Sequence, residues 1–165
     1  MTTEVTHPDG YKQGLYTPAN PRKYIGNLNT IRYMSSWELE MHKFLDNNPN
    51  ILEWSSEPIV IPYIKPTDGE VHRYFPDYYV KYVDKYGKVH HEIVEVKPRS
   101  QRTLREGASR KEVIDYHVNQ AKWKYAKVWC EERGLEFCII SERPGAGRGQ
   151  QNFRKRKIKR AGKRR

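Results

Sequence analysis

The last 23 residues, RPGAGRGQQNFRKRKIKRAGKRR, hold 11 Lys and Arg and no acid. Their apolar side chains are Phe153, Ile158 and two alanines, set beside four glycines. A segment so poor in apolar surface cannot offset the entropy of ordering its chain, so alone it is expected to be a mobile arm. Any core must come from the first 142 residues. Those residues balance 20 Lys and Arg against 20 Asp and Glu, so the formal net charge of +11 resides wholly in the tail. Such a run neutralises several phosphates at once and gives salt-dependent, sequence-independent attraction to nucleic acid. Arg154, Lys155, Arg156 and Lys157, four cations in succession, are the expected phosphate contacts. An acidic protein surface would draw the same arm by the same Coulomb attraction.

The remaining length suits one compact domain. Apolar residues make up 36% of the chain, charged residues 31%, and no stretch approaches the 18 apolar residues of a membrane helix. The first 30 residues lack the apolar run of a secretory signal, so none is expected. Cys130 and Cys138 are too few for a disulfide framework or a four-cysteine zinc site, which makes a reducing compartment the default.

Residues 1–34 are rich in Pro, Gly, Asn and Tyr without a sustained period, and read as an N-terminal arm anchored by its tyrosines and Ile25. Ser35 and Glu38 have the capping-box spacing, and Trp37, Met41, Phe44 and Leu45 then share a helical face. Residues 46–50 (DNNPN) end that helix. Residues 51–64 form a first strand of uncertain extent, interrupted by Pro58 and Pro62. A second strand spans 74–83, a turn at 84–87 closes a hairpin, and a third strand spans 91–97. After a basic loop, residues 111–133 have helical spacing with a break near 115–117, Gly134 is the stop, and 135–141 form a last buried strand. This is an α/β (α+β) domain over 35–142, a mixed sheet flanked by helices in the order α-β-β-β-α-β, with the tail at 143–165.

Pro76-Asp77 opens the second strand and Glu95-Val96-Lys97 ends the third. Side chains two apart on a strand share a face, so Glu95 and Lys97 point the same way. Antiparallel pairing across the turn brings Asp77 beside Glu95. Two carboxylates at such an edge repel unless a cation lies between them, and hard oxygen ligands suit Mg2+ or Mn2+. The Lys97 ammonium beside them can orient or deprotonate a water and stabilise charge on a phosphate. Those are the components required for phosphodiester hydrolysis. The plainer reading is a surface aspartate and an ion pair on a solvated strand.

With these residues placed, the sequence resembles the PD-(D/E)xK nucleases and their restriction-endonuclease-like core. Ser35-Ser36-Trp37-Glu38, Leu45-Asp46, Pro49-Asn50-Ile51, Glu57-Pro58, Arg73-Tyr74-Phe75-Pro76-Asp77 and Glu95-Val96-Lys97-Pro98 are similar to the endonuclease subunit of Tn7-type transposases. They are still more similar to the head-completion nucleases of large tailed bacteriophages, as are the stretches 11–26 and 123–137. The resemblance implies metal ligands at Asp77, Glu95 and the Val96 carbonyl, with Lys97 as the catalytic lysine. It implies a helical acid at Glu38, touching the metal directly or through water, where capping is the plainer role. Tyr33-Met34 stands where the family often has an arginine.

Asn119, Gln120 and Lys122 sit where relatives place a polar or basic group against the phosphate, Lys122 being the first choice. Arg73 and His72 precede the second strand and could touch the scissile strand. Arg99, Arg102, Arg105 and Arg110 in the following loop suit DNA backbone contacts. His42 lies one turn after Glu38, His90 and His91 face opposite ways, and the cysteines read as core residues. The resemblance thus implies a Mg2+- or Mn2+-dependent endonuclease acting on double-stranded DNA late in phage head assembly. Phage head or portal-region proteins would be its partners, in the cytoplasm of a bacterial host or at the virion head, with no membrane involved. The rival readings are a non-catalytic head-completion protein that docks DNA on a nuclease fold, and an RNA-binding module working through the tail.

Overall fold

The computed structural model of the chain describes residues 5–6 and 12–141; Arg154, Lys155, Arg156 and Lys157, with the rest of the tail, lie outside the described residues. The chain folds as two compact units. One comprises the described residues up to Ser56 together with Val80–His90, and the other Glu57–Tyr79 and His91–Ser141.

In the first unit, strands β1 (Val5–Thr6), β2 (Lys12–Leu15) and β3 (Arg32–Tyr33) form an antiparallel sheet, where the sequence suggested an arm without regular structure. Tyr16, Ile31 and Tyr33 are buried, but Ile25 is 48% exposed and is no anchor. Neighbouring extended residues point to opposite sides. Tyr24 takes the inward place, its ring edge-on to Trp54 at 4.7 Å, while Ile25 uses only its N–H, bonded to the Trp54 carbonyl at 2.9 Å.

Helix α1 (Ser36–Asn47) starts where Ser35 Oγ accepts the Glu38 N–H at 3.1 Å. Its inward face is Met41, His42, Leu45 and Asp46, while Trp37 and Phe44 are half-buried. Asp46 is no exposed helix stop. Its carboxylate accepts from the Tyr16 hydroxyl at 2.8 Å and from the Ala19 and Asn20 N–H groups at 2.7 and 3.1 Å. Three donors of the N-terminal segment thus end on one carboxylate of the helix. Strand β4 (Ile51–Ser56) follows.

Strands β7 (Tyr78–Val83) and β8 (Val89–Val96) form the expected hairpin. Its turn is closed by Asp84, whose Oδ1 accepts the Tyr86 and Lys88 N–H groups at 2.8 and 2.9 Å, and by Gly87 at φ +79°. Strand β9 (Glu136–Ile140) runs parallel to β8 from Glu92↔Glu136 to Val96↔Ile140, so the sheet β4-β7-β8-β9 is mixed, as expected.

The second unit holds a hairpin that the sequence concealed: β5 (Ile61–Ile64) pairs antiparallel with β6 (Val71–Tyr74). The expected first strand breaks at Glu57, whose φ of +47° lies in the left-handed region, and at the Pro58 that follows. The expected second strand breaks at Phe75-Pro76-Asp77, because proline brings no N–H to a ladder. The two breaks are joined: Glu57 N–H donates to the Asp77 carbonyl at 2.9 Å. Helix α2 (Arg110–Glu131) runs without the interruption expected near 115–117. It starts in a full capping box between Ser109 and Glu112 and packs Trp123 and Ala126 on Ile61, Tyr63 and Tyr74. Gly134, at φ +68°, is the stop the sequence announced. No helix among the described residues is long and apolar enough to cross a membrane.

Candidate active site

The β7–β8 hairpin sets the start of one strand beside the end of the other. Asp77 immediately precedes β7, and its Oδ2 accepts the Val96 N–H at 2.7 Å, across the gap where the sequence expected the two acids to meet. A residue in an extended strand sends its N–H and C=O to the same edge, so the Val96 carbonyl leaves on the Asp77 side. Lys97, the next residue, turns its N–H the other way, to the Ile140 carbonyl at 2.8 Å. Strand β9 thus fixes the backbone from which the lysine side chain rises.

Glu95 is 7% exposed, and its Oε2 accepts from the Tyr74 hydroxyl at 2.7 Å. Burial and the charge of Asp77 push the Glu95 carboxyl up to about 7, against the opposing pull of Tyr74, Lys97 and Lys122. Lys122 reaches the same place from α2. Its Nζ lies 5.8 and 5.7 Å from the ring centroids of Tyr63 and Tyr74, and burial lowers its pKa while Glu95 raises it. The burial of Tyr74, and then the charge of Glu95, drive the phenol far above its ordinary range, so it is a neutral donor at every working pH. Asp77, Glu95, Val96, Lys97 and Lys122 are therefore neighbours in one unit.

The donor set can be tested for a metal. Asp77, Glu95 and the Val96 carbonyl are hard oxygen donors, and Glu95 senses the Asp77 charge that a divalent ion would offset. Among the described residues no group of three or more His, Cys, Asp and Glu side chains could hold an ion. An ion here would keep waters or substrate oxygens in its remaining positions. That fits Mg2+ or Mn2+ and argues against a closed zinc site.

The other expected residues have partners of their own or lie on the surface. Glu38 belongs to the first unit, and its Oε2 accepts the Met34 N–H at 2.6 Å, one residue short of a reciprocal capping box. Arg73 is exposed with its guanidinium 5.2 Å from the Phe75 ring centroid. Arg99 opens an exposed 3-10 turn, and Arg102 donates to Ser141 Oγ at 2.8 Å. Arg105 is engaged with Glu112 at 2.9 Å, and His72 with Asp68 at 2.7 Å. Asn119 lines a cleft of about 500 Å³ with Ser100, Gln101, Thr103 and Tyr116, roughly one helical turn from Lys122.

His42 is buried, with Nε2 2.8 Å from the Arg32 carbonyl and its ring against Tyr16 and Trp54. His90 contacts Asp84 at 3.0 Å and His91 the Tyr79 hydroxyl at 3.0 Å, so they share no ligand. Cys130 and Cys138 are buried and not joined in a disulfide, and burial pushes Cys130 up to about 11. Sequence reasoning missed Tyr74 and Tyr63. The signal at hand was Tyr74, three residues before Asp77, but its partner lies 21 positions away.

The model of the TnsA-like endonuclease N-terminal domain matches residues 48–142, more than half of the chain. The chain belongs to this family. The TnsA-like match covers Asp77, Glu95, Lys97 and Lys122 and begins after Glu38. The chain is also 35% identical over 139 residues to the head completion nuclease of Enterobacteria phage T4, which covers 78% of this chain and 90% of that protein. No solved structure matches this TnsA-like chain with statistical significance.

Proposed function

We propose that the chain is a divalent-metal-dependent endonuclease that hydrolyses phosphodiester bonds of double-stranded DNA during phage head completion. One observation carries the reading: Asp77, Glu95 and Lys97 converge at adjoining strand ends, with the charge of Asp77 felt by buried Glu95. Family membership and the likeness to a head completion nuclease support the reaction class and the stage. On this reading Asp77, Glu95 and the Val96 carbonyl hold Mg2+ or Mn2+. The ion, when bound, polarises the scissile phosphate and lowers the pKa of its water. Lys97 orients the attacking water and neutralises charge building on the phosphate. Lys122 bears on a phosphate oxygen. Arg73, Arg99, Arg102 and the tail cations, including Arg154, Lys155, Arg156 and Lys157, hold the backbone without reading sequence. The setting is the host cytoplasm or virion head, with head or portal-region proteins as partners.

Supercoiled plasmid tests this directly. Purified protein should nick or linearise it with Mg2+ and not with EDTA, and Asp77→Asn should abolish cleavage while leaving the melting temperature near wild type. Binding without cleavage under every metal would make the protein a non-catalytic docking module instead.

A further inference from the structure

A carboxylate that serves a metal has two oxygens, and the one facing away must be held if the other is to be aimed. At Glu95 that oxygen is Oε2, bonded to Tyr74. Tyr74 is built to hold it. The residue is 3% exposed, ends β6, and its ring is packed with Ile61, Tyr63, Trp123 and Ala126, so the hydroxyl cannot swing aside. It directly precedes the Phe75-Pro76-Asp77 strand break, whose last residue is Asp77. The face of the same ring carries the Lys122 ammonium at 5.7 Å.

One side chain therefore contacts both Glu95, by its hydroxyl, and the Lys122 ammonium, by its ring. We propose that Tyr74 is a positioning residue: its hydroxyl pins Glu95 Oε2 so that Oε1 is the oxygen offered to the divalent ion, and its ring seats Lys122. This rests on Asp77 and Glu95 being the metal ligands. Tyr74 touches neither ion nor DNA.

Two variants separate the two tasks in the full chain. Tyr74→Phe removes the hydroxyl and keeps the ring; Tyr74→Leu removes both. The probe is Mn2+ alone, titrated calorimetrically without DNA, alongside kcat and KM on plasmid. Tyr74→Phe should weaken Mn2+ binding about 10- to 100-fold, the usual scale for losing a group that orients a metal ligand. Its KM for DNA should stay at the wild-type value and its kcat should recover at saturating Mn2+, a rescue that a folding defect would not show. Tyr74→Leu should in addition raise KM. Wild-type Mn2+ affinity in Tyr74→Phe, with Asp77→Asn having lost it, overturns the tyrosine assignment alone. Equal Mn2+ binding by wild type and Asp77→Asn removes the metal site itself and the assignment with it.

Discussion

Glu95 holds its proton to about pH 7 in the metal-free protein, against an ordinary value of 4.5, because burial and Asp77 both disfavour its charge. Between those values the folded chain retains a proton that the unfolded chain has released. Stability therefore falls as pH rises through this window; the penalty is absent below it and complete above pH 7. Glu95→Gln lifts the penalty. We expect thermal unfolding without metal to show the variant stabilised at pH 8, by about 1–3 kcal/mol, and nearly unchanged at pH 4.5. Mg2+ should then stabilise the wild type at pH 8 and leave Glu95→Gln where it was. On the proposed function Lys97 makes a different prediction, because there it faces the phosphate rather than holding the ion. Lys97→Ala should keep metal and DNA affinity while cleavage falls roughly 10²- to 10⁴-fold, the scale for a lost proton-transfer or charge-stabilising group. Lys97→Arg should not restore the rate, since a guanidinium cannot share a proton with water near neutral pH. A fully active Lys97→Arg enzyme would reduce the lysine to a charge clamp.

Among the elements, the N-terminal strands depend on a helix they do not belong to. Asp46→Ala would leave the Tyr16 hydroxyl and the Ala19 and Asn20 N–H groups without their shared acceptor. A buried donor left unpaired, as at Tyr16, costs about 1–3 kcal/mol, and the two part-buried N–H groups cost less because water can reach them. We expect a total of about 2–5 kcal/mol, read as a melting point lower by roughly 5–15 °C, with hydrogen exchange fastest in β2. Protection of β2 equal to wild type would show that the sheet stands without the clamp. This clamp also marks where sequence legibility stops. Local signals were readable: the Ser35 cap, the β7–β8 turn, the Gly134 stop and the helix spacing after residue 110. Asp46 was not, because it opens an Asp-Asn-Asn-Pro run that looks like a helix end, while its partners lie 26–30 positions away. The β5–β6 hairpin was hidden because prolines at 58, 62 and 76 signal an edge strand and a broken strand equally. The closeness of Asp77 to the end of β8 was legible because one tight turn joins the two strands; the Tyr74–Glu95 contact was not, because its hairpin was not.

At the scale of the whole molecule, all excess charge lies in residues 143–165 while the first 142 are formally neutral. Deleting those 23 residues should weaken DNA binding to every sequence and flatten its dependence on salt. The log–log slope should drop by about 0.9 for each phosphate the tail contacts. An unchanged slope would assign the tail to an acidic protein instead. The folded part specifies where this charge is attached. The chain leaves β9 at Ser141, one residue beyond the carbonyl that holds the Lys97 N–H, and Ser141 itself accepts from Arg102. On the proposed function, this turns a general attraction into a matter of effective concentration. On that reading, a polycation tethered after Ser141 keeps a duplex it has captured within reach between turnovers. Moving residues 143–165 to the other terminus should leave bulk affinity intact yet reduce the nicks made per encounter, because processivity depends on the point of tether.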